Sequence, residues 1–122
     1  MLNLREVGAE WLEPFFDGSV NTGLSGGERK KVELLALCIL RPRRVVVLDE
    51  LDSGLDVDAV AAFRLVLGKL KRINPGLAWL VISHHAPLLT PEKVHVLISG
   101  RIVSTGGPSL LVKVQNRGFQ GF

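Results

Sequence analysis

The chain has 122 residues, 47% apolar and 22% charged, a composition that fits one globular domain with a single core and excludes disorder. Its longest apolar stretches, 32–40 and 77–83, are too short or too interrupted to span a bilayer. A lone cysteine, Cys38, excludes an internal disulfide framework. The first six residues lack a charged-then-apolar leader pattern, so a cytoplasmic protein without direct membrane insertion is expected. The net charge of +3 is uneven: −3 over residues 1–23, −1 over 24–58 and +7 over 59–122. A basic C-terminal half suits an acidic partner or nucleic acid. No basic run is interleaved with aromatic residues, so a solvated surface is the expected reading and no nucleic-acid partner is expected.

In chain order, the pattern predicts a short helix around 9–16 and a polar turn region (Asp17-Gly18-Ser19, then Asn21-Thr22-Gly23). Ser25-x-x-Glu28 is a capping box, so a helix should start at Ser25 and run to Leu40 or Arg41, closed by Arg41-Pro42. Its second half is apolar nearly all round and should be largely buried. Residues 45–48, a β-branched run, read as an inner parallel strand buried on both faces. A helix after Asp56 carries an apolar stripe of Ala59, Val60, Phe63, Val66, Leu67, Leu70 and Ile73. Its wet face holds Asp58, Arg64, Lys69 and Arg72. Asn74-Pro75-Gly76 turns the chain into a second buried strand, 77–83. A short loop or helix (86–90) follows, then strands at 94–98 and 101–104 joined at Ser99-Gly100, and a last helix at 109–116. Strand, helix, strand is a right-handed crossover, so the class is α/β.

Two segments carry chemistry. Ser25-Gly26-Gly27-Glu28 places two glycines at a helix N-terminus, where bare backbone N–H groups and the helix dipole attract a phosphate and the Ser25 hydroxyl can donate to it. The same four residues also read as a plain cap. The run 45–50 ends a strand on Asp49 and Glu50, on the side where parallel sheets bind ligands. Asp49 suits Mg²⁺, and Glu50 suits orienting or deprotonating an attacking water; two solvated acids in a turn are the plainer alternative. Asp56 is a natural N-cap, and His84 leaves the second strand at the same end. A calcium loop does not fit, because the D-x-[DN]-x-[DN]-G spacing is absent. Nor does a zinc site of His84, His85, His95 and Cys38, which match no ligand spacing.

These pieces, in this order, resemble the ATPase domain of the ABC family. Residues 24–28 look like the ABC signature, 45–50 the Walker B strand, 53–56 the D-loop and His84 the switch histidine. Leu51-Asp52, where most transporter ATPases of the family carry Pro-Thr or Pro-Ser, is similar to the SUF-type iron–sulfur cluster assembly ATPases (SufC-like). So are Val20-Asn21, Glu28-Arg29-Lys30-Lys31, the residues 94–97 leading to Gly100-Arg101-Ile102-Val103, and Gly118-Phe119; His85 stands where that subfamily usually has Tyr. The likeness runs from about residue 10 to 122 and implies the C-terminal half of a P-loop NTPase fold, with 1–23 ending a helical subdomain and 24–122 holding the motifs. It implies Ser25, Gly26 and Gly27 at the γ-phosphate of a nucleotide held by a partner protomer, Asp49 on Mg²⁺, Glu50 and His84 as catalytic groups, and Asp56 across the dimer interface. The cofactors would be ATP and Mg²⁺. The partners would be a Walker A-containing N-terminal half or a full-length ATPase protomer, and a SufB/SufD-like scaffold.

The departures bear on activity. The sequence contains no G-x-x-x-x-G-K-[ST]; its one Gly-Lys, Gly68-Lys69, falls inside the apolar helix and is followed by Leu70. Without that loop, no backbone cradle, lysine charge or Mg²⁺-binding hydroxyl serves the β-phosphate. There is no Tyr to stack on adenine, and the two glutamines, Gln115 and Gln120, lie too late for a Q-loop. In the family, the Walker A strand lies between the strands matching 77–83 and 94–98. Its omission leaves a gap of about 9–10 Å, two inter-strand spacings, so the sheet should rearrange or be completed by another chain. Three readings follow: one part of a split ATPase, a non-catalytic remnant or scaffold-binding module, and an ABC transporter ATP-binding fragment. Purified alone, the chain is expected neither to bind ATP tightly nor to turn it over. A measurable nucleotide affinity, or phosphate release from the isolated chain, refutes this.

Overall fold

The computed structural model describes residues 4–16, 23–40, 44–84 and 87–122. The expected polar turn at 17–22, the Arg41-Pro42 helix stop, Val20-Asn21, His85 and Ala86 lie outside the described residues. The chain opens with α1 (Leu4–Val7), a helix too short for the sequence pattern to reveal. Gly8, at φ +69, ends it, and Ala9 N–H bonds back to the Leu4 carbonyl at 2.8 Å. The helix expected at 9–16 is a 3₁₀ helix, Glu10–Phe15, with Pro14 inside it. Trp11 Nε1–H donates to the Gly8 carbonyl at 3.1 Å, pinning this segment to the end of α1.

Helix α2 (Gly26–Ile39) starts on the Ser25 capping box, as the sequence required. Its burial is narrower than expected. Leu34, Leu35 and Cys38 are in the core, while Leu40, just past the helix, is 69% exposed. Burial pushes the Cys38 thiol up to about 11, so little thiolate forms near neutral pH.

The crossover unit holds the middle of the chain. Strand β1 (Val45–Asp49) leads through a tight loop to α3 (Val57–Ile73), and β2 (Ala78–Ile82) returns parallel to β1 with Val47 opposite Leu80 and Asp49 opposite Ile82. Phe63, Val66, Leu67 and Leu70 of α3 are buried with Leu12, Leu34, Val46 and Leu48 in one core. The end residue Ile73 is nearly half exposed, and Lys69, expected on the wet face, is half-buried beside Gly8.

Neither strand is buried on both faces, which corrects the sequence reading. Val46 and Leu48 point into the core, but Val45 and Val47 are 58% and 57% exposed, and on β2 Leu80, opposite Val47, and Ile82, opposite Asp49, are 53% and 45% exposed. A β-branched run reports a fully buried parallel strand only when a second layer covers the outer face, and here none among the described residues does. That face continues into a groove of about 450 Å³ between β1 and α2, walled by Ala36, Leu37, Leu40, Val45 and Val47.

Strands β3 (Val94–Ile98) and β4 (Arg101–Gly106) form the expected antiparallel hairpin, β4 running two residues further than predicted. Ser99 (φ +49) and Gly100 (φ +77) make the two-residue turn, both in the left-handed region that such a turn demands. Helix α4 (Pro108–Arg117) follows, one residue longer at each end than expected, with Pro108 opening it. No helix forms over 87–90; Leu88 and Leu89 instead plug the main core. Among the described residues the strands form two separate two-stranded sheets, β1–β2 and β3–β4. β2 and β3 do not pair with each other, so of the two expected outcomes the sheet has not rearranged, and completion by another chain stays open.

Phe63 is fully buried and tilts against Trp11 with ring centroids 5.9 Å apart, joining the N-terminal turn to α3. Phe63→Ala is therefore expected to cost about 3–5 kcal/mol, measured as a loss of unfolding free energy in urea.

Candidate active site

Strand β1 delivers two carboxylates at its C-terminal end. Asp49 is the last strand residue and is exposed. Glu50 leaves the strand with φ +48 while its N–H still donates to the Ile82 carbonyl at 2.9 Å, one more rung of the parallel ladder. Ser53 N–H then closes the turn on the Glu50 carbonyl at 3.0 Å, and Leu51 is buried beneath it. Gly54, at φ +74, lets the loop turn toward α3.

His84 comes off the end of β2, and its Nε2 lies 2.7 Å from Glu50 Oε1; protonated at Nε2, the ring donates to the carboxylate. The two side chains are 72% and 42% exposed. An exposed pair of this kind stabilises by about 0–1 kcal/mol. A non-glycine residue held in the left-handed region costs about 1–3 kcal/mol. The pair therefore does not hold the turn. What holds it is the burial of Leu51 and the bonds to the end of β2. One of these the sequence reading missed: Ser83 Oγ donates to Asp52 Oδ2 at 2.8 Å, half-buried and 31 residues apart.

The second predicted element sits at the start of α2. Ser25 N–H donates to Glu28 Oε2 at 2.7 Å, and Glu28 N–H donates to Ser25 Oγ at 3.3 Å. The Ser25 backbone N–H first, then its hydroxyl, hold the Glu28 carboxyl below its ordinary value of 4.5. A carboxyl lowered in the folded state stabilises it above the unfolded value, and that contribution fades as pH falls through the lowered one. Ser25 Oγ acts as acceptor toward the Glu28 N–H. A Cβ built on Gly26 or Gly27 meets no atom within 4 Å among the described residues. Packing among the described residues therefore gives no reason for two poor helix formers in the first turn. Asp56 caps α3, its Oδ1 accepting Ala59 N–H at 2.7 Å. The bonds that Ser25 exchanges with Glu28, and Asp56 with Ala59, stay within their own helix turns, whereas Glu50 and His84 are joined directly.

The donor set limits what metal fits. No group of three or more His, Cys, Asp or Glu able to hold a metal ion occurs among the described residues. Asp49 fits Mg²⁺ as one oxygen ligand to an ion that takes the rest from phosphates and water, which is how Mg²⁺ is usually held. It does not fit an ion caged by this chain alone.

The backbone aligns with that of MJ1267, an ATP-binding cassette of an ABC transporter, at a TM-score of 0.67 and 22% identity over 93% of this chain and 45% of that one. The same cassette in its ADP conformation aligns at a TM-score of 0.57. The fold is thus α/β and matches that of an ABC ATPase domain. No family model matches the chain. A probable ATP-dependent transporter of Synechocystis sp. is 42% identical over 86% of this chain and 41% of its own length. The iron–sulfur cluster assembly protein SufC of Plasmodium berghei is 37% identical over the whole of this chain and 34% of its own length. Vegetative protein 296 of Bacillus subtilis is 40% identical over 82% of this chain and 38% of its own length. Over most of its length the chain is thus similar to one part of ABC-type ATPases and ATP-binding proteins. It spans only 34–41% of the length of these three relatives.

Because a side chain at Gly26 or Gly27 would meet nothing among the described residues, Gly27→Ala is expected to leave stability unchanged or raise it by about 0.5–1 kcal/mol. Chemical denaturation followed by circular dichroism checks this. A clear loss of stability shows that the glycine is structural.

Proposed function

We propose that this chain supplies one side of an ATP-hydrolysis site, completed by a polypeptide that carries the glycine-rich phosphate loop. The observation that carries the reading is the pairing of Glu50 with His84 at 2.7 Å, beside Asp49, at the C-terminal ends of two parallel strands. In this reading 24–122 is the C-terminal part of an ABC ATPase domain and 1–23 the end of its helical subdomain. Asp49 would contribute one oxygen to Mg²⁺, which when bound neutralises phosphate charge. Glu50 would accept a proton from a water aligned for attack and orient it, while the His84 N–H keeps the carboxylate aimed. Ser25 would turn its hydroxyl, and Gly26 and Gly27 would offer backbone N–H groups, to the γ-phosphate of a nucleotide held by the opposing protomer. Asp56 lies at the junction between protomers.

The partner is a Walker A-containing N-terminal half or a full-length ATPase protomer. The uncovered apolar face of β1 and β2 supports a second polypeptide, since parallel sheets are stable with both faces covered. Leu51-Asp52, together with relatives that carry the SufC name, favours iron–sulfur cluster assembly on a SufB/SufD-like scaffold in the cytoplasm. No helix among the described residues is long and apolar enough to cross a membrane. The transporter-named relative supports a second reading, an ATP-binding fragment of an ABC transporter.

Mixing the chain with a candidate phosphate-loop half is expected to produce phosphate release that neither piece shows alone. Glu50→Gln should lower that rate by about 10²–10⁴-fold. No gain on mixing overturns the split-site reading and leaves a non-catalytic module.

A further inference from the structure

Ser83 and His84 are consecutive residues at the exit of β2, and each reaches the loop after β1. Ser83 Oγ bonds Asp52 Oδ2 at 2.8 Å, and His84 Nε2 bonds Glu50 Oε1 at 2.7 Å. The two bonds form successive rungs between the same two segments. They differ in surroundings: the Asp52–Ser83 rung is half-buried, the Glu50–His84 rung open to water. Water competes for the outer pair far more than for the inner one, so the inner rung sets the register in which the outer pair meets. Loop 50–55 carries further bonds of its own, Ser53 N–H to the Glu50 carbonyl and Leu55 N–H to the Asp52 carbonyl at 3.3 Å. Fixing Asp52 therefore fixes the turn on which Glu50 rides.

We propose that Asp52 and Ser83 are positioning residues that hold Glu50 and His84 within bonding distance before any ligand arrives. The role takes its meaning from the reading of Glu50 and His84 as site residues, but its test needs no nucleotide. The full chain, labelled with ¹⁵N, is compared with Ser83→Ala, Ser83→Thr, Asp52→Asn and Glu50→Gln by NMR. Ser83→Ala is expected to speed exchange of the Glu50 amide hydrogen by about threefold to tenfold. It should also move the His84 ring-nitrogen shifts to those of Glu50→Gln. Ser83→Thr, which keeps the hydroxyl, should restore the native values. Asp52→Asn keeps the side-chain volume and should reproduce part of the Ser83→Ala shift. Native His84 ring shifts in a folded Ser83→Ala chain overturn the proposal, as do equal shifts in Ser83→Ala and Ser83→Thr. If these ring shifts behave as expected while the mixed pieces release no phosphate, the positioning role stands and the ATPase reading falls.

Discussion

Everything in this structure hangs on one layer of packing, the stripe of α3 against the inner face of β1 and the N-terminal turns. Phe63, Val66, Leu67 and Leu70 supply the helix side, Val46 and Leu48 the strand side, and Val7 and Leu12 close the edge. Each fully buried side chain of this size contributes about 1.5–3 kcal/mol over an exposed one. With β1 held by α3, β2 has one register in which to pair, and that register brings His84 to Glu50. The hydrophobic contact thus positions the polar one.

The same layer explains the one-sidedness of the sheet. An inner face packed on α3 leaves the outer face to water unless another layer arrives, and Val45, Val47, Leu80 and Ile82 are the result. Asp49, Glu50 and His84 lie at the end of this half-covered sheet. Shape at the site and exposure beside it therefore arise from one arrangement.

Features set by short-range rules were legible in the sequence. The Ser25–Glu28 box is a three-residue relation, and the structure contains both of its bonds. The α3 stripe follows a 3.6-residue period and holds over Phe63, Val66, Leu67 and Leu70, and the two-residue turn Ser99-Gly100 stands where its pattern puts it. Long-range consequences were not legible. Burial of Val45 and Val47 depends on what lies over the sheet, which no local pattern encodes. The Asp52–Ser83 bond joins residues 31 positions apart, and only the register of two strands brings them together. The run 45–50 reveals that carboxylates end a strand, but not that Glu50 occupies a left-handed conformation. For Ser25, Gly26, Gly27 and Asp56, local pattern is enough to place each at a helix end; the geometry adds the caps themselves.

The uncovered sheet face has a thermodynamic consequence. A chain that buries Val45, Val47, Leu80 and Ile82 recognises a surface present only when β1 and β2 are paired, so it binds the folded form and not the unfolded one. Mass action then ties the melting temperature of this chain to the concentration of whatever covers it, by RT ln(1 + [L]/Kd). Fold stability and occupancy of that face become one measurable quantity, so a melting curve doubles as a binding isotherm.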